Sequence, residues 1–251
     1  MRILEYILLG LVQGASEFLP VSSSGHLLLL EKLGIGEENL FFNVCLHLGT
    51  LLSVLICMRN PLAELLRHPF SKTTGYIVLA SVPTVALALA FKYLAPSLLD
   101  GAYLPLGFML TAVLLFASEK LTTPKLAPIN GKTALLTGVF QGIAVLPGVS
   151  RSGSTIAALR FCGTDRSTAA EFSFLLSVPV IAGSALYEGA ECAVTGALQN
   201  VDWLALAAGV VAAFFAGCIA IRFFLSIVKN KSLLPFSVYT ALLALASFFV
   251  L

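Results

Sequence analysis

The 251-residue chain is 58% hydrophobic and only 11% charged, with a mean hydropathy of +0.96 and a formal net charge of +2. Soluble domains are about 45–50% apolar and about 25% charged, so this composition excludes an ordinary soluble fold, and no basic run suggests nucleic acid. The apolar runs are continuous rather than short and alternating, which excludes a β-barrel and leaves helices crossing a bilayer.

In chain order, residues 3–31 come first: a short apolar arm, the polar stretch QGASEFLPVSSSGH (13–26), and a second short arm. Neither arm comfortably spans a membrane, so the pair reads as a re-entrant hairpin. A signal peptide is the plainer reading of the first sixteen residues, but Glu5 interrupts the run and the same element recurs inside the chain. Full spans are predicted at 41–58, 74–94 and 103–118. A second hairpin follows at 133–161, and then spans at 172–190, 204–221 and 233–250. The expected fold is therefore an all-α polytopic membrane protein, a single domain over 1–251 with six full spans and two re-entrant helical hairpins. The five cysteines form no CxxC or Cys/His spacing and read as apolar filler.

Charge orients this scheme, because cytoplasmic loops carry the excess of Lys and Arg. Arg59, Arg67 and Lys72; Lys120, Lys125 and Lys132; Arg160 and Arg166; and Arg222, Lys229 and Lys231 can all be cytoplasmic together. Glu37, Glu38, Asp100, Glu188, Glu191 and Asp202 fall on the other side, with Lys32 and Lys92 as exceptions. Both termini then face outward, the first hairpin enters from outside and the second from the cytoplasm.

The two hairpins are copies. GLVQG (10–14) returns as GVFQG (138–142), and the closing Ser-x-Ser-Gly of EFLPVSSSG (17–25) returns in VLPGVSRSG (145–153), at one offset of 128 residues. Each copy precedes three spans, an odd number, so the repeats (approximately 1–120 and 130–251) are inverted. Inverted repeats with broken helices place a binding site near the bilayer midplane. The glycine spacing itself reads as close helix packing, and Pro20 and Pro147 as helix breaks.

Ionisable groups at membrane depth are costly and need partners. Joining the hairpin tips gathers Gln13, Glu17, Ser22, Ser23, Ser24 and His26 with Ser150, Arg151, Ser152, Ser154 and Thr155, while Gly148 and Gly153 free the backbone. Arg151 and the start of the arm 151–161 form a phosphate cradle of guanidinium and backbone N–H groups. The first tip offers a carboxylate for a divalent cation, hydroxyls that could attack and an imidazole that could move a proton. Phosphoryl transfer is the chemistry this set suits. Plainer readings stand beside it: serines as helix caps, Glu17 with Arg151 as a structural ion pair, His26 as a packing residue. His47, a lone imidazole in the first full span, reads as a packing or supporting residue. NGKT (130–133) fails as a P-loop, because Leu126 occupies the required earlier glycine position.

QGASEFLPVSSSGH and LPGVSRSGST resemble the two signature motifs of the undecaprenyl-pyrophosphate phosphatase family, the bacitracin-resistance proteins, and the resemblance covers essentially the whole chain. It implies a bacterial inner-membrane hydrolase, dependent on Mg²⁺ or Ca²⁺. Such an enzyme removes the terminal phosphate of a C55 isoprenyl pyrophosphate and opens to the periplasm, recycling the lipid carrier for peptidoglycan. By motif position it implies Glu17 as the metal and catalytic carboxylate, Ser23 and His26 as nucleophile and acid/base candidates, and Arg151 as the pyrophosphate ligand. Ser22, Ser24, Gly148, Ser150, Ser152, Gly153 and Thr155 are the expected substrate contacts. The family's first acidic position is Gln13 here, a carbonyl instead of a charge, so Gln13 and Glu17 are the expected metal ligands. Ser23 attacking phosphorus with His26 as base is the favoured assignment; a nucleophilic His26 or a metal-activated water is the alternative. The rival class is a secondary transporter or flippase for an anionic lipid. Undecaprenyl pyrophosphate and membrane lipid are the expected partners, and the sequence leaves the oligomeric state open, a homodimer included.

Overall fold

A helix can begin only where something accepts its free N–H groups, and in both hairpins a serine does so at the same repeat position. Ser22 accepts from Gly25 N and Ser150 from Gly153 N, at 3.3 and 3.1 Å. The computed structural model describes residues 2–36, 40–122, 126–195 and 201–250; Glu37, Glu38 and Lys125, used above to orient the chain, lie outside the described residues.

The first hairpin is α1 (Arg2–Phe18) and α2 (Ser23–Lys32). Then come α3 (Leu40–Cys57), α4 (Arg59–Arg67), α5 (Lys72–Leu94) and α6 (Leu104–Lys120), with a 3₁₀ turn at Pro96–Leu98 before α6. The second hairpin is α7 (Gly131–Ile143) and α8 (Arg151–Phe161), followed by α9 (Arg166–Thr195), α10 (Trp203–Val228) and α11 (Leu234–Ser247). Among the described residues there is no strand. Every predicted span and hairpin arm coincides with a helix. Three helices, Lys72–Leu94, Arg166–Val194 and Trp203–Val228, are long and apolar enough to cross a membrane. A fourth arises if Phe41–Cys57 and Arg59–Arg67, bent by 79°, are one span. That bend differs from the loop expected after the first span. Val78, Val82, Val85, Phe215 and Ile219 stay more than half exposed on helix surfaces, an apolar exterior suited to lipid.

The helices pair in a pattern that the repeat reproduces. α1 lies along α10 and α7 along α5, while α3 meets α9 and α6 meets α11. Small residues decide the first two pairings. A Cβ at Gly10 would lie 2.1 Å from the Gly209 carbonyl oxygen, one at Gly14 2.3 Å from that of Ala213, and one at Gly138 2.0 Å from that of Ala80. The glycines of GLVQG and GVFQG are thus what lets each hairpin reach its partner span.

Side chains tie each end of the bundle. At one end Arg166 donates to both carboxylate oxygens of Glu119 (2.8 and 2.5 Å), which also accepts from Ser232 at 3.1 Å. At the other, Lys92 donates to Glu191 at 2.6 Å. Arg160, grouped above with the cytoplasmic charges, is a buried residue of α8 that donates to the Thr164 carbonyl at 3.1 Å.

Gly138→Val should be destabilising by about 1–3 kcal/mol, the usual cost of overpacking. Gly75→Ala, where a Cβ meets nothing within 4 Å, should leave thermal unfolding in detergent near the wild-type midpoint.

Candidate active site

Gln13 and Glu17 lie one helical turn apart on α1, so their side chains stack on one face. Gln13 Nε2 donates to Glu17 Oε2 at 2.9 Å. The hairpin turn brings Ser23, the first residue of α2, back onto the same carboxylate, and its Oγ donates to Oε2 at 2.6 Å. From the other hairpin, Arg151, the first residue of α8, donates from Nη2 to Glu17 Oε1 at 2.6 Å. The pair is deeply enclosed, with side-chain exposures of 14% for Arg151 and 5% for Glu17. An ion pair desolvated this far forms only because each charge neutralises the other. Arg151 Nη1 is buried and has no hydrogen-bond partner.

The second tip is shaped by backbone. Gly148 adopts a φ of 85°, and a Cβ there would lie 2.6 Å from the Leu104 carbonyl oxygen. Thr111 on α6 clamps the turn, donating to Gly148 O at 3.0 Å and accepting from Ser150 N at 2.8 Å. Ser150 caps α8, Ser152 Oγ donates to Leu19 O of the first tip at 3.0 Å, and Thr155 Oγ1 lies 2.6 Å from Ser173 Oγ. These three expected substrate contacts therefore have protein partners and hold the tip together, while Gly153 packs against Pro20. Ser154 Oγ is buried without a partner, and so joins Arg151 Nη1 as a group with unused capacity.

On the first tip, Ser22 takes a φ of 70°, rare outside glycine, and Ser24 is exposed, 3.4 Å from Ser22 Oγ. His26 is turned away from Ser23. Its Nδ1 donates to the Ser22 carbonyl at 2.7 Å, so Nε2 accepts from the Tyr239 hydroxyl at 2.8 Å. Its ring stacks on Tyr239 and meets Phe108 edge-on. The expected Ser23–His26 hydrogen bond is thus replaced, because the carbonyl of the residue four positions back captures the imidazole and Glu17 captures the hydroxyl. His47 Nδ1 lies 3.0 Å from Gln13 Nε2 and 3.7 Å from Glu17 Oε2.

Sequence reasoning gathered both tips but missed Tyr239 and Thr111. A tyrosine and a threonine inside apolar spans carry no local signal of what they touch 213 and 39 residues away.

Apolar helices around two repeated hairpins, whose polar tips meet over a buried carboxylate–guanidinium pair, define a helical membrane protein with a polar site enclosed among its helices. The chain belongs to the bacitracin resistance protein BacA family, whose model matches residues 6–246. It is 37% identical over 248 residues to the undecaprenyl-diphosphatase of Carboxydothermus hydrogenoformans, covering 97% of this chain and 95% of that one. It is 39% identical over 246 residues to the undecaprenyl-diphosphatase of Halothermothrix orenii, covering 95% and 94%. With that of Christiangramia forsetii the identity is 39% over 263 residues, covering 98% and 97%.

Thr111→Val keeps the side-chain volume but strands the buried Ser150 N–H. Thermal unfolding should show a loss of about 1–3 kcal/mol, and an unchanged midpoint would contradict the clamp.

Proposed function

We propose that the protein is an integral-membrane phosphatase that hydrolyses undecaprenyl pyrophosphate to undecaprenyl phosphate and inorganic phosphate, recycling the lipid carrier for cell-wall synthesis. The observation that carries the reading is Arg151. It reaches from the second tip to the Glu17–Ser23 pair of the first and keeps a buried Nη1 without a partner, a donor suited to a phosphate oxygen. Family membership and relatives named undecaprenyl-diphosphatase support the same substrate.

The architecture belongs to this reading: six spans and two re-entrant hairpins in one membrane domain, built as inverted repeats over 1–120 and 130–251. The exchange of α1–α10 for α5–α7 and the matching caps at Ser22 and Ser150 support it. The location is the bacterial inner membrane with both termini and the site toward the periplasm. Its support is the charge bias: Lys120, Arg166, Lys229 and Lys231 fall near one tied end, Glu191 and Glu188 near the other.

The chemistry follows from the contacts. Ser23 Oγ attacks the terminal phosphorus, forming an O–P bond as the bond to the bridging oxygen breaks and isoprenyl phosphate leaves. Glu17, which already accepts the Ser23 hydrogen bond at 2.6 Å, takes the proton in place of His26. Arg151 steadies the charge that grows on the phosphoryl oxygens. Water then cleaves the phosphoserine, releasing phosphate and restoring Ser23, while His26, on α2, stays engaged with the Ser22 carbonyl and Tyr239.

Mg²⁺ or Ca²⁺ fits the donor set. Both prefer oxygen ligands, Glu17 supplies a carboxylate, and Gln13 Oε1 is buried without a partner. Among the described residues no three His, Cys, Asp or Glu side chains cluster for a metal, so Glu17 and Gln13 would hold the cation together with substrate oxygens and water. When bound, the cation neutralises pyrophosphate charge.

Phosphate release from a C55 isoprenyl pyrophosphate by purified protein should require Mg²⁺ or Ca²⁺ and stop with EDTA. Ser23→Ala and Arg151→Ala should each lower kcat by at least about 100-fold, and His26→Ala should cost less than Ser23→Ala. Folded protein that binds the lipid and releases no phosphate would instead indicate a carrier.

A further inference from the structure

His47 lies 3.7 Å from Glu17 Oε2 and 3.0 Å from Gln13 Nε2, and it closes a chain of hydrogen bonds that decides which end of Gln13 is left free. Arg151 at 2.6 Å and Ser23 at 2.6 Å hold Glu17 as a carboxylate, able only to accept. The amide end of Gln13 that meets Glu17 Oε2 at 2.9 Å must therefore be the NH₂ group. The same nitrogen lies 3.0 Å from His47 Nδ1, so Nδ1 accepts and the ring proton sits on Nε2. Both N–H bonds of the amide are then spent. The carbonyl oxygen is left as its free end, and Gln13 Oε1 is indeed buried with no partner.

We propose that His47 is a positioning residue that makes Gln13 an oxygen donor to the catalytic cation, an inference that rests on the cation-dependent phosphatase reading above. A carboxylate at position 13 would present an oxygen whichever way it turned. An amide has only one, and without a second anchor on its nitrogen it can rotate that oxygen away. The repeat supplies a comparison. Gln141, the counterpart of Gln13, donates from Nε2 to Thr84 Oγ1 at 3.1 Å and also leaves Oε1 without a partner, but no carboxylate stands at the position matching Glu17, which is Val145. The amide is anchored in both copies, and only the first anchors it beside an acid.

The test uses Mn²⁺ binding to the purified full-length protein, read from loss of the free-ion paramagnetic resonance signal, together with the Mg²⁺ dependence of phosphate release. Variants are His47→Leu, His47→Asn (whose Oδ1 stands where Nδ1 stands) and Gln13→Glu with and without His47→Leu. Each must elute as the wild type does. His47→Leu should weaken Mn²⁺ binding and raise the Mg²⁺ needed for half-maximal activity by about tenfold, the size of one lost hydrogen bond, with kcat at saturating Mg²⁺ within about threefold. His47→Asn should restore most of this, and in the Gln13→Glu background His47→Leu should shift binding by less than about twofold. Equal loss in both backgrounds, or no loss in the Gln13 background while wild type remains cation-dependent, would overturn the role of His47 alone. A wild type that binds no Mn²⁺ and releases phosphate in EDTA would overturn the cation reading and this inference with it.

Discussion

Everything in this molecule is arranged around one ion pair that an apolar protein should avoid. Glu17 and Arg151 come from opposite halves of the chain and meet at 2.6 Å in nearly complete enclosure. Removing one partner from such a pair typically costs about 3–5 kcal/mol, because a bare charge stays behind. The pair therefore locks the two hairpin tips to each other. Ser152 on Leu19 O and the Thr111 clamp fix the geometry within which the charges meet. The same pair holds Glu17 as an acceptor, which fixes Ser23, Gln13 and, through Gln13, His47.

The repeat supplies a common frame and then departs from itself. Ser22 and Ser150 cap equivalent helices, Gln13 and Gln141 stand at equivalent places on α1 and α7, and both hairpins pack through glycine against a span from the opposite half. At the next repeat position the copies diverge, with Ser23 in one and Arg151 in the other. One tip carries a hydroxyl and a carboxylate, the other a guanidinium that meets them. Two copies of either tip could not make this pair: two acidic tips would bury like charges against each other, and so would two basic ones. Bringing unlike tips together is what a divergent repeat allows.

Much of this was legible in the sequence because the governing constraints are local. Apolar length marks helices, a polar interruption flanked by Gly and Pro marks a hairpin, and the 128-residue offset joins the two sets of site residues. The hydroxyls were less legible. A serine that caps a helix and one that faces a substrate occupy the same kind of position, and only the structure separates Ser150, engaged with Gly153 N, from Ser154, which has no partner. The motif resemblance implied Ser23 and His26 as partners, but the carbonyl of Ser22 takes the imidazole at 2.7 Å. The bend between α3 and α4 and the contacts of Tyr239 and Thr111 depend on distant helices and leave no trace in neighbouring residues.

The central claim is that two hairpins from opposite halves form one site, and it can be tested by a bond. A Cβ built at Gly153 lies 3.3 Å from Pro20 Cβ, close to the separation a disulfide spans. Pro20→Cys and Gly153→Cys, introduced together after replacing the five native cysteines, should crosslink under mild oxidation. The crosslink would join peptides from the two halves in a mass-spectrometric digest. Folded protein that never forms this link, while a pair placed within one hairpin does, would show the tips apart and contradict the account.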